Sequence, residues 1–303
     1  MDPQAEHPVD ISIVIPAYNE EQAIAGTLEA LLEVTRASAR SYEIIVVNDG
    51  STDGTAAAVA PLEQQEQVRL LRHRTNKGYG ASLKTGVLAA RGEIVLFYDA
   101  DNQFQPQDIE RLADEMEHAD AALGSRTADS YVPLSRAGGK KLLAVLANYL
   151  ARTKIPDLNC GLRAVKREIL LDYLHLLPAG FSASSTTTLV LLKEGYEVVF
   201  VPIRVEKRVG TSTVRPLKHG VEVALLVVRL TTLFDPFRVF GPAALLLFLA
   251  GLGWGAQYLI QGKGLSVAAL FLLVSAVLVF FFGLLTDQVA ALRRERRYSG
   301  WKR

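Results

Sequence analysis

Asp99-Ala100-Asp101 sets two carboxylates two residues apart, directly after the apolar run Ile94 to Tyr98. If that run is a strand, both carboxylates stand at its carboxyl end and can share one hard divalent cation. Mg²⁺ and Mn²⁺ prefer oxygen ligands and keep open positions for phosphate. Gln103 offers a carbonyl oxygen nearby. Acidic pairs also cap helices and turns; the place behind an apolar run is what favours the metal reading. Asn48-Asp-Gly-Ser-Thr-Asp-Gly54 follows a second such run, Glu43 to Val47. Gly50 and Gly54 suit turns there, and Ser51 or Asp53 suits a helix cap. The functional alternative puts Asp49 against a base or ribose at the sheet edge. A third polar cluster, Pro16 to Glu20, follows Ile11 to Ile15. No G-x-G-x-x-G follows that first run, so the dinucleotide fingerprint is excluded.

The elements that must position these clusters alternate. Strands are expected at 11–15, 43–47, 68–71 and 93–98, and helices at 20–37, 55–67, 80–90 and 107–118. Near-continuous apolar strands between helices predict an α/β domain over residues 10 to about 205, with a mostly parallel sheet covered on both faces. Ligands in such sheets bind beyond the carboxyl ends of the strands, where the three clusters would converge.

Composition narrows the classes. The 303 residues carry 33 basic and 32 acidic side chains, for a net charge of +1, which excludes polyanion binding by bulk charge. Half the residues are hydrophobic, far above a disordered chain. The single Cys160 excludes a disulfide framework and a cysteine zinc cluster. Its surroundings suggest packing rather than nucleophilic work. His7, His73, His118, His175 and His219 are scattered without metal-binding spacing and read as ordinary surface or partly buried residues.

A mean hydropathy of +0.19 is high for a chain with this much charge. It averages two unlike regions. Val239 to Ile260 and Leu265 to Thr286 are uncharged, 22 residues each. As helices each spans about 33 Å, enough to cross a hydrocarbon core of about 30 Å. The short link 261–264 makes them a hairpin, with Pro242 expected in the first helical turn. Residues 293–303 carry six basic side chains and one acidic, so the positive-inside rule puts this tail in the cytoplasm. Two spans place the N-terminal region there too, and no signal peptide is visible at the start. Segments 133–154 and 214–234 read as amphipathic helices suited to a membrane surface, with an ordinary surface helix the lesser alternative for the first.

Taken together, Ile13-Val-Ile-Pro-Ala-Tyr-Asn-Glu20, Val47-Asn-Asp-Gly-Ser-Thr-Asp-Gly54, Asn76-Lys-Gly78 and Asp99-Ala-Asp101 resemble family 2 glycosyltransferases of the GT-A fold. The two spans, the D-A-D-x-Q run and Asp157-Leu-Asn-Cys-Gly-Leu-Arg163 are similar to the polyprenyl-phosphate glycosyltransferase subgroup, which includes dolichol-phosphate mannose synthase. The resemblance implies a GT-A domain over 1–212, an interfacial helix over 213–238, a transmembrane hairpin over 239–287 and a basic cytosolic tail over 288–303. It implies that Pro16, Tyr18, Glu20, Asp49, Lys77 and Gly78 line the nucleotide-sugar pocket. Asp99, Asp101 and Gln103 would hold Mg²⁺ or Mn²⁺ on the diphosphate. Arg126 and Arg136 would face the acceptor phosphate, joined by Lys207, Arg208, Gly210 and Ser212 on a closing segment. Thr213 stands where the subgroup often has lysine.

The implied partners are a nucleotide sugar of the UDP-glucose or GDP-mannose type, a polyprenyl phosphate (undecaprenyl or dolichyl) and the membrane. An acceptor phosphate is already anionic and needs cations more than a base. Asp157 is then a base, an orienting carboxylate or a local cap. One in-line displacement would invert the anomeric centre. Two other readings compete: transfer to another lipid or a polysaccharide, and a non-catalytic membrane subunit. The absence of Q-x-x-R-W disfavours a processive synthase, and intact Asp99, Asp101 and Gln103 disfavour decay. Oligomeric state, homo-oligomer included, is left open.

Overall fold

A computed structural model describes residues 9–127, 129–130, 148, 154–180, 182–207, 225, 228, 231–232 and 235–300, with side chains to 292. The chain divides into two compact units, Met1–Val223 and Ala224–Arg303.

The first unit is built on a seven-stranded sheet. Its strands are β1 (Ile11–Ala17), β2 (Tyr42–Asn48), β3 (Val68–Arg72), β4 (Ile94–Phe97), β5 (Ala121–Arg126), β6 (Arg163–Lys166) and β7 (Val198–Ile203). The order across the sheet is β3-β2-β1-β4-β6-β5-β7. All pairings are parallel except the two that β6 makes with β4 and β5. The expected mostly parallel sheet is therefore present, with one reversed strand.

That reversal matters for the site. In register, Arg163 at the start of β6 lies beside Phe97 at the end of β4 and beside Leu123 of β5. The loop entering β6 thus shares an edge with the carboxyl ends of the other strands. Ile203, which ends β7, pairs with Arg126, which ends β5.

The helices are α1 (Ile24–Ala37), α2 (Thr55–Val59), α3 (Tyr79–Ala89), α4 (Asp108–Glu115), α5 (Arg167–Tyr173) and α6 (Ala183–Glu194). Ile24, Leu28, Leu31 and Leu32 of α1 are buried at helical spacing against β1 and β2 residues such as Ile13 and Ile44. Full burial of each such side chain contributes about 1.5–3 kcal/mol. Helix α2 stops well short of the expected residue 67. Pro61 has no N–H to continue the ladder, and the chain turns through a short 3₁₀ segment, Leu62–Gln64.

The second unit contains α7 (Phe237–Ile260) and α8 (Val267–Gly300), both long and apolar enough to cross a membrane. They form an antiparallel hairpin, closest where residues are small: Ala244, Gly251, Ala269 and Ala276 are buried while most large side chains point outward. A Cβ on Gly251 would come within 2.9 Å of Leu273 Cγ. Phe237 and Phe280 meet edge to face at 5.7 Å. Helix α7 starts two residues earlier than expected, so Pro242 lies inside the helix rather than in its first turn. It removes the bond its nitrogen would give the Arg238 carbonyl. The two amphipathic segments, 133–154 and 214–234, fall almost wholly outside the described residues.

Candidate active site

Six strand ends and the entry to β6 build one polar edge. At the end of β1, Asn19 adopts φ 55° and its side chain accepts from Thr52 N–H at 2.9 Å. Asn19 N–H donates to Ser51 Oγ, and Glu20 N–H to Thr55 Oγ1. Loop 16–21 is thereby laced to loop 48–55. Asp53 Oδ1 accepts from Thr55 N–H and Oγ1, bonds that lower its carboxyl against the opposing effect of burial. The cap position of α2 itself is Gly54, without a side-chain cap bond, so the expected Ser51 or Asp53 cap is replaced by this local turn. Pro16, Tyr18 and Glu20 stand half-buried along it.

Asp49, at 3% exposure, does something the sequence did not suggest. Its Oδ1 accepts from His73 Nδ1 at 2.6 Å and from Lys77 N–H at 2.9 Å, and its Oδ2 accepts from Gly78 N–H at 2.7 Å. It therefore clamps the loop between β3 and α3. His73 is partly buried, within the expected range, and both ring nitrogens are engaged: its Nε2 contacts Thr85 Oγ1 at 2.9 Å. Lys77 is exposed on this loop. Gly78 has φ +101°, and a Cβ there would meet the Ala179 carbonyl at 2.5 Å, so no other residue fits without strain.

At the end of β4, Asp99 is half-buried and Asp101 is 7% exposed. Tyr79 donates its hydroxyl to Asp99 Oδ1 at 3.0 Å. Burial and the neighbouring Asp99 push that hydroxyl well above its ordinary pKa, so it stays a donor. Asn102, at φ 57°, turns the chain so that Gln103 faces residue 206. Gln103 Nε2 donates to the Glu206 carbonyl at 2.8 Å, and Glu206 N–H donates back to the Gln103 carbonyl at 2.9 Å. Through Nε2 and its backbone carbonyl, Gln103 clasps the segment that leads to the exposed Lys207.

Arg126 ends β5 and grips Asp157 in a fork: Nε to Oδ2 at 2.5 Å and Nη2 to Oδ1 at 2.7 Å. Asn159 N–H also donates to Asp157 Oδ1. Burial raises the Asp157 carboxyl, but Arg126 more than offsets it and holds it below the usual range. Among the described residues Arg126 Nη1 makes no hydrogen bond. Both Asp157 oxygens are thus engaged. Cys160 is buried beside it, its thiol pushed up to about 12 chiefly by burial, as suits packing. Arg136, Arg208, Gly210 and Ser212 lie outside the described residues.

Gly161 and Arg163 belong to the run 157–163 but carry no assigned role there, and Tyr79 follows Gly78. Tyr79 bonds Asp99 Oδ1, Gly161 lies against Asp99 Oδ2, and Arg163 heads the neighbouring strand. The available signal was their adjacency to assigned motif residues.

Could this edge hold a divalent cation? Among the described residues no three His, Cys, Asp or Glu cluster as a metal set. The edge offers two carboxylates, and Gly161 leaves room for one: a Cβ there would fall 2.2 Å from Asp99 Oδ2. Two oxygen donors with the remaining positions left to a diphosphate and water suit Mg²⁺ or Mn²⁺.

Comparison with known proteins agrees with this geometry. Residues 12–174 match the profile Glycosyl transferase family 2, and residues 235–292 match the GtrB C-terminal hairpin. An undecaprenyl-phosphate 4-deoxy-4-formamido-L-arabinose transferase of Pectobacterium carotovorum is 26% identical, covering 95% of this chain and 90% of that one. A dolichyl-phosphate beta-glucosyltransferase of Dictyostelium discoideum is 27% identical, covering 74% and 76%. Among solved structures, glucosyl-3-phosphoglycerate synthase of Mycobacterium tuberculosis, with Mn²⁺, UDP and phosphoglyceric acid, superposes with a TM-score of 0.59. It covers 74% of this chain and 78% of that one at 21% identity, a likeness of fold. The chain is a glycosyltransferase with a two-helix membrane hairpin, and it belongs to Glycosyl transferase family 2.

Proposed function

We propose that the protein transfers a sugar from a nucleotide sugar to a polyprenyl phosphate at the cytosolic face of a membrane, with inversion. One observation carries the reading. A two-carboxylate strand end, Asp99 and Asp101, shares its edge with Arg126, whose neighbouring carboxylate Asp157 is tied up and unavailable as a base. A hydroxyl acceptor needs a base; an ionised phosphate needs a cation.

Asp99 and Asp101 would hold the cation, which when bound supplies Lewis-acid neutralisation of the leaving diphosphate. Arg126 presents Nη1 to the acceptor phosphate while Asp157 fixes its plane. Lys207 adds charge from the segment that Gln103 clasps, and Arg136, Arg208 and Ser212 are proposed to join it there. A phosphate oxygen forms the new bond to the sugar C1 as the C1–O bond to the diphosphate breaks. The nucleoside diphosphate departs with that electron pair, and a single displacement converts an α-linked donor to a β-linked lipid product.

Asp49 favours uridine over guanosine. A carboxylate has about four acceptor positions. Three are occupied, leaving one on Oδ2. One acceptor suits the single ring N–H of uracil; guanine presents two adjacent donors. Mn²⁺ and UDP in the superposed synthase support the same choice.

The relatives named for undecaprenyl and dolichyl phosphate support the acceptor class. The basic tail supports cytoplasmic placement of both termini. The test is a donor screen with the full chain and undecaprenyl or dolichyl phosphate. UDP-sugars are expected to give a lipid product heavier by one sugar, and Asp101→Ala to give none. Full turnover by Asp101→Ala would remove the metal assignment.

A further inference from the structure

Among the described residues Arg163 is the largest fully buried side chain, at 1% exposure. A guanidinium out of water costs several kcal/mol unless it is paired and hydrogen-bonded. Its Nη1 donates to the Ser184 carbonyl at 2.6 Å and its Nη2 to the Cys160 carbonyl. Thr188 Oγ1 lies 3.4 Å from Nη1. Its Nε has no hydrogen-bond partner among the described residues. No carboxylate there forms a salt bridge with it, and in register it lies beside Phe97, two residues before Asp99 on the neighbouring strand. A buried cation without a salt bridge among the described residues, at the strand position next to the site, is poorly explained as core packing.

The surroundings give it a purpose. Through Cys160 it pins the loop carrying Asp157 and Gly161, and through Ser184 it pins the start of α6. Helix α6 packs on α3, which opens on Tyr79, the residue that donates to Asp99 Oδ1. On the other side, Gly161 brings backbone against Asp99 Oδ2. Asp99 is therefore held at one oxygen by a hydroxyl and limited at the other by a glycine, and Arg163 stands at the head of the strand beside β4.

We infer that Arg163 and Tyr79 are positioning residues for the metal-binding carboxylate: Arg163 is its buried counter-charge, and Tyr79 fixes its rotamer. The inference rests on Asp99 holding the cation, as in the proposed function. Groups behind a metal ligand orient it and tune its affinity even without touching the metal.

The experiment measures Mn²⁺ affinity in the presence of UDP, by calorimetry or electron paramagnetic resonance, on the full chain in detergent. Wild type, Asp99→Ala, Tyr79→Phe, Arg163→Lys and Tyr42→Phe are compared. Tyr42 loses an equivalent buried hydroxyl bond, to Glu110, at the opposite end of the sheet. Tyr79→Phe and Arg163→Lys are expected to weaken Mn²⁺ binding by about 10- to 100-fold. Tyr42→Phe is expected to match wild type, and added Mn²⁺ to restore turnover in Tyr79→Phe. If Arg163→Lys does not fold, Tyr79→Phe decides. Asp99→Ala binding Mn²⁺ as wild type does would overturn both this inference and the reading beneath it. Loss of binding in Asp99→Ala, with Tyr79→Phe and any folded Arg163→Lys within about two-fold of wild type, would overturn this inference alone.

Discussion

The two units of this chain solve opposite solvation problems. In the α/β unit, Ile11, Ile13, Ile15, Ile44 and Leu28 are fully buried and most charge lies outside or in paired networks, with the buried Arg163 an exception. In the hairpin, Leu246, Phe271 and Leu270 are more than 60% exposed, and the buried positions are alanine and glycine. Water drives large side chains inward, whereas lipid offers them equal company outside, so helices there meet through small residues. The catalytic unit can therefore keep buried ionised groups where the fold supplies partners for them, as for Glu43 with Arg69, and the hairpin has almost none. Site chemistry belongs to the first unit and placement at the bilayer to the second.

Variants that touch one unit should spare the other. Asp101→Ala should lower turnover on the order of 10³-fold, since a cation on the leaving group supplies several kcal/mol. Its membrane-bound fraction should be unchanged, which fractionation checks. Ile13→Ala should destabilise the α/β unit by about 2–5 kcal/mol. Phe271→Ala, equally drastic on paper, should cost the hairpin less than about 1 kcal/mol. Denaturant or thermal unfolding of both variants measures that contrast, and equal losses would break it. Val274→Arg, on an exposed face of α8, should cost about 2.5–3.5 kcal/mol of insertion, read with a membrane-insertion reporter. UDP and Mn²⁺ binding should survive it.

The smallest effect concerns pH. Asp157 titrates lower folded than unfolded, so its contribution to stability is full above the unfolded value of about 4 and fades as pH falls through the lower folded value. Asp157→Asn should cost about 1–3 kcal/mol at neutral pH. The gap to wild type should close only below about pH 4. A gap independent of acid would mean that the ion pair contributes nothing.

How much of this was legible beforehand follows the same physics. Strands β1, β2 and β4 are buried on both faces, so their β-branched runs stood out. Strand β6 is four residues with a buried arginine at its head, and charge in a central strand reads as loop. Strand β5 ends in Gly-Ser-Arg, and β7 contains Pro202, each blurring a period-two signal. Helix α6 opens on a buried Ser and Thr run of low helix propensity, which only tertiary packing explains. In the site, motif residues could be quoted because they cluster in sequence. The His73–Asp49 contact spans 24 residues and the Gln103–Glu206 clasp 103, so neither was visible before the sheet brought them together.

The central claim is that the acceptor is a lipid phosphate attacked by a single inverting displacement. The direct measurement incubates the full-length protein with an α-linked UDP-sugar, Mg²⁺ and undecaprenyl phosphate, then reads the lipid product by mass spectrometry and NMR. A phosphate-linked β-glycoside is the result this account predicts. An α-linked product, or sugar transferred only to a hydroxyl acceptor, would contradict it.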